Sequence, residues 1–119
     1  MATEQRRPTE RRIPCVDDPM LGEVVDRLVQ TYRPEKVYLF GSAARGDAGL
    51  DSDYDVVVIV PDDLPASRQD ERLGYAALVG TGTAVDVLVY RASEFYGRLP
   101  LRASLPATVV REGKLLYAA

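Results

Sequence analysis

Between positions 18 and 32 the apolar residues fall at Leu21, Val24, Val25, Leu28, Val29 and Tyr32. Steps of three and four line one face of a helix. Asp18 is its N-cap by position, Pro19 sits in its first turn and Pro34 stops it. KVYLFG then reads as a short strand closed by a glycine, followed by a short helical turn in SAARGDA and a loop containing Gly49. In YDVVVIVP five branched apolar residues run without a break from Val56 to Val60, which suits a strand covered on both faces. Start signals at Asp63 and Pro65, with Leu73, Ala76, Ala77 and Gly80 as a weak apolar face, predict a helix, and a Gly-Thr-Gly turn leads into a third strand, TAVDVLVY. The remaining segment predicts a short helix near 93–98, a second over 104–112 capped by Ser104 and stopped at Gly113, and a closing edge segment, KLLYAA. This alternation predicts an α/β or α+β domain with a small mixed sheet of three to four strands flanked by helices. No internal repeat or low-complexity tract interrupts it.

Composition narrows the picture. The 119 residues suffice for one core, so 18–119 is expected to be a single domain and 1–17 a flexible N-terminal segment. Arg6, Arg7, Arg11 and Arg12 lie in that segment with no apolar stretch behind them, unlike a secretory signal. No apolar run approaches the roughly 20 residues of a spanning helix, and the single cysteine, Cys15, has no disulfide partner within the chain. A cytoplasmic location with no membrane partner is the expectation. The net charge of −3 argues against stable binding to duplex DNA.

Candidate chemistry lies in GSAARGDAGLDSDYDVVVIV. Unpaired carboxylates are costly beside a strand about to be buried, yet Asp51, Asp53 and Asp55 stand there. Asp51 reads as a turn residue. Asp53 and Asp55, two positions apart on a strand, project to the same side. Asp86 opens another apolar strand, and if that strand lies beside the Asp55 strand, three carboxylates share one site. Oxygen ligands of this kind select hard cations, and Mg²⁺ is commonly held by a few carboxylates together with substrate phosphates. A helix-loop-helix calcium site is excluded, because Val56 stands where the loop requires glycine. At the end of the first strand, Gly41 permits close backbone approach, Ser42 can hydrogen-bond a phosphate, and Arg45 can neutralise its charge or pair with Asp47. A Walker A loop is excluded by Asp47, which occupies the lysine position.

Gly41-Ser42, Asp53-Tyr54-Asp55 and the later Asp86 together resemble the signature of the DNA polymerase beta-like nucleotidyltransferase superfamily. GSAARG and SDYD look like its minimal nucleotidyltransferase branch, and the resemblance runs from about Asp18 to the C-terminus. It implies that Gly41 and Ser42 hold the β- and γ-phosphates, and that Asp53 and Asp55 bind two Mg²⁺ ions. It further implies that Asp86 holds the metal next to the attacking hydroxyl and serves as its base. The donor would be ATP, passing AMP to an acceptor with loss of pyrophosphate. Relatives acting on antibiotics or nucleic acid ends carry extra helical domains for the acceptor, which this length does not accommodate, so the resemblance implies an acceptor presented by another molecule. In the minimal branch that molecule is a HEPN-type toxin, which implies an antitoxin of the MntA kind that modifies a partner tyrosine. Two other readings stay open: a non-catalytic antitoxin module acting by complex formation, and a transferase for a small aminoglycoside-like acceptor.

Overall fold

The computed structural model describes residues 11–12, 19–40, 54–82 and 85–119. In chain order these form β1 (Arg11–Arg12), α1 (Pro19–Tyr32), β2 (Lys36–Phe40), β3 (Tyr54–Val60) and a 3-10 turn (Ala66–Arg68). They continue with α2 (Glu71–Ala77), β4 (Val85–Arg91), α3 (Ala92–Gly97), α4 (Leu105–Glu112) and β5 (Lys114–Ala118). The strands make one mixed sheet in the order β1-β5-β2-β3-β4, in which β3 and β4 are parallel and the other pairs antiparallel. A parallel pair needs a long crossover, and the segment carrying α2 supplies it.

Helices cover both faces of the sheet. On one face Leu21, Val24, Val25, Leu28 and Tyr32 of α1 join Val37, Leu39, Val56, Val58, Val60, Val85 and Val87 in the larger core. On the other, Val57 and Ile59 pack with Phe95 of α3 and Val109 of α4, flanked by Tyr38, Leu88 and Tyr90. The unbroken apolar run in β3 is thereby explained, because Val56 to Val60 are all fully buried and alternate between two cores. At about 1.5–3 kcal/mol for each fully buried valine or isoleucine, this strand is the main apolar anchor of the fold.

The observed elements follow the predicted ones closely, with differences at their ends. Beyond the four longer strands, Arg11 and Arg12 pair with Ala118 and Tyr117, so two residues of the expected flexible segment extend the sheet. KLLYAA, expected at an edge, forms β5 between β1 and β2. The helix expected after Asp63 splits into the 3-10 turn and α2, because Asp70 accepts the Arg72 N–H and caps a fresh start. Ser104 caps α4 as expected, accepting from Ala107 N–H at 3.2 Å. The expected cap at Asp18 and the turn over SAARGDA lie outside the described residues.

Candidate active site

β3 and β4 run parallel and begin at the same end of the sheet, and antiparallel β2 finishes there. Register makes this end specific. Phe40, the last residue of β2, pairs with Asp55, and Asp55 pairs with Asp86. Phe40, Asp55 and Asp86 thus form a row across three strands, with Asp55 half-buried and Asp86 exposed. Alternation puts both aspartates on the face of Val57, Ile59, Leu88 and Tyr90, the side that α3 and α4 cover further along the strands. Neighbouring strands lie about 4.8 Å apart, so two carboxylates at paired positions are within reach of one divalent cation.

The condition attached to Asp86 in the sequence, that its strand lie beside the Asp55 strand, is met in register. Gly41, Ser42, Arg45 and Asp53 lie outside the described residues. Phe40 and Tyr54, the residues before Gly41 and after Asp53, both belong to this end of the sheet. α4 also returns to it. At Gly113 an added Cβ would stand 2.6 Å from the Leu39 carbonyl oxygen and 2.5 Å from that of Val109, so only glycine lets the chain pass. It then enters β5 with Lys114 paired to Leu39.

Two residues that sequence reading did not single out border the site. β4 is an edge of the described sheet, and its Val87 N–H donates to the Tyr75 hydroxyl at 3.2 Å while its Val89 N–H donates to the Glu71 carboxylate at 3.2 Å. Their spacing of four was visible in the sequence, but the strand edge they serve was not. A perturbed carboxylate is often a pointer to function. Here Asp62 titrates below the ordinary range because it accepts the Ser93 N–H at the start of α3, beyond the far end of β3, where it acts as a helix cap.

The family described as nucleotidyltransferase domain matches residues 21–115. A Sulfolobus solfataricus protein named as a candidate nucleotidyltransferase shares the fold at a TM-score of 0.52 and 22% identity, over 81% of this chain and 75% of that one. A toxin-antitoxin crystallised with AMP-PNP aligns at a TM-score of 0.57 and 22% identity, over 82% of this chain and 73% of its own. A toxin-antitoxin MntA-HpeT mutant, in which two aspartates two positions apart are replaced by glutamates, aligns at 0.56 and 20% identity, over 82% and 73%. None of the curated proteins searched matches the chain.

Proposed function

Because the chain belongs to the nucleotidyltransferase domain family, we propose that it is a Mg²⁺-dependent enzyme transferring AMP from ATP to a hydroxyl, the tyrosine of a HEPN-type toxin that it neutralises. One observation carries the reading: Asp55 and Asp86 face each other in the parallel ladder, at the end of the sheet where Phe40 leads into Gly41. Toxin-antitoxin complexes among the fold neighbours, one with an ATP analogue, support the choice of partner and donor. The mutated aspartate pair in one of them has the spacing of Asp53 and Asp55.

The donor set fits Mg²⁺, since the paired carboxylates offer only oxygen, one half-buried and one open to solvent. Asp53, Asp55 and Asp86 would hold two such ions, which when bound supply charge neutralisation at the α-phosphate and its leaving group. Gly41 and Ser42 would bind the β- and γ-phosphates through an amide and a hydroxyl, and Arg45 would offset their charge. Asp86, the more exposed carboxylate, would accept the proton of the incoming hydroxyl. As the acceptor oxygen bonds to the α-phosphorus, the bond to the bridging oxygen breaks and pyrophosphate leaves.

The test is incubation with Mg²⁺ and α-phosphate-labelled ATP in a lysate of the source cell. A labelled protein band, absent with Asp55→Ala and with Asp86→Asn, is the expected result. A second reading, an antitoxin acting by docking alone, also draws on the toxin-antitoxin neighbours. It would be favoured if Asp86→Asn neutralised the toxin as well as the unmodified chain does.

A further inference from the structure

β4 carries Asp86 and, among the described residues, has a strand on one side only. Amides facing away from β3 would otherwise be open donors. α2 takes two of them, through the Tyr75 hydroxyl at Val87 and the Glu71 carboxylate at Val89, each at 3.2 Å. The match is periodic. The four residues from Glu71 to Tyr75 rise about 6 Å along the helix, and two residues of a strand span about 6.6 Å. The pairs occur in reverse order because α2 runs against β4.

α2 is itself tied down at both ends. At its start the Tyr32 hydroxyl donates to the Asp70 carbonyl at 2.7 Å and accepts the Gly74 N–H at 2.8 Å. At its finish Arg27 donates to the Ala77 and Val79 carbonyls, each at 3.0 Å. The clamp on β4 is therefore anchored through α1 to the larger core.

Val87 follows Asp86, and the peptide joining them is planar. Restraining the Val87 N–H restrains the rotation of that plane about the Asp86 Cα, and with it the direction in which the Asp86 side chain leaves the strand. We propose that Tyr75, assisted by Glu71, is a positioning residue that holds Asp86 opposite Asp55 for cation binding and transfer. The inference rests on the reading of Asp55 and Asp86 as a cation-holding pair, and adds to it the group that sets their geometry.

The experiment compares the unmodified chain with Tyr75→Phe, Glu71→Ala and Glu71→Gln, well below their melting temperatures. Mn²⁺ binding is read by calorimetry, amide hydrogen exchange at Val87 and Val89 by NMR, and AMP transfer to the labelled protein by its maximal rate and half-saturating ATP. Tyr75→Phe is expected to speed exchange at Val87, weaken Mn²⁺ binding and lower the maximal rate about 10- to 100-fold, with half-saturating ATP within about threefold. Glu71→Ala should follow it more weakly, and Glu71→Gln, which keeps an oxygen acceptor, should restore near-normal behaviour. Faster exchange at Val87 with unchanged Mn²⁺ affinity and rate would overturn the proposal and leave Tyr75 a stabilising contact only. If Tyr75→Phe weakens Mn²⁺ binding in a chain that transfers no AMP, positioning stands and the transferase reading fails. Absence of both Mn²⁺ binding and transfer in the unmodified chain would sink both.

Discussion

Tyr32 joins the carbonyl of Asp70 to the N–H of Gly74, two groups that an uninterrupted helix would bond to each other. Its ring is fully buried, and desolvation is the leading cause of its raised pKa. Tyr32→Phe is expected to cost about 1–2 kcal/mol in urea denaturation, because the hydroxyl serves two backbone groups at once. A raised phenol pKa also makes this contribution fully present below the unfolded tyrosine value near 10 and lost as pH climbs through the folded one. Alkaline unfolding of Tyr32→Phe should therefore be less steep than that of the unmodified chain. Gly74 shows the same packing from the other side. An added Cβ would stand 3.0 Å from the Tyr32 hydroxyl oxygen and 3.1 Å from Val87 Cγ1. That hydroxyl is pinned and cannot give way, so Gly74→Ala should destabilise by about 1–3 kcal/mol despite the better helix propensity of alanine. An unchanged denaturation midpoint would contradict this.

At the scale of elements, α3 begins without a cap of its own. Its N-cap position is Arg91, whose side chain makes no capping bond, and Asp62 from beyond β3 accepts the Ser93 N–H instead at 2.8 Å. That hydrogen bond is the chief reason the Asp62 pKa is lowered. A lowered carboxyl pKa contributes stability above its unfolded value, near 3.9, and loses it as pH falls through the folded value. The stability gap between the unmodified chain and Asp62→Ala should accordingly be constant at neutral pH and close as the medium is made more acidic than about pH 4. The pairing of β3 with β4 carries the opposite kind of electrostatics. Asp55 and Asp86 occupy facing positions, and like charges so placed disfavour the sheet. Asp86→Asn should stabilise the metal-free protein by about 0.2–1 kcal/mol in thermal denaturation while abolishing nucleotidyl transfer.

For the whole molecule, the fold brings the termini of three strands to one end of the sheet and spends its two cores on holding their register. A ligand bound there must stabilise the folded state by mass action. Mg²⁺ with ATP at about 100 times its dissociation constant should add about 2.7 kcal/mol, and Asp55→Ala should lose that gain in a thermal shift assay. A gain that survives the substitution would place the nucleotide elsewhere. Among the described residues no helix is long and apolar enough to cross a membrane.

By itself the sequence determined the local matters. Apolar period distinguished α1 from the strands, the run of Val56 to Val60 announced a strand buried on both sides, and Ser104 marked the start of α4. Those are consequences of side-chain spacing along one chain, which any window of residues displays. The acidic positions were legible for the same reason, as charges standing where apolar residues were due. What only the tertiary structure decided was who faces whom. That Asp86 sits opposite Asp55 follows from a parallel register between strands separated by the α2 crossover. That Tyr75 and Glu71 serve the edge of β4, or Asp62 the start of α3, follows from the same kind of long-range placement. Such contacts depend on the packing of both cores at once, and neither period nor propensity within a segment encodes them.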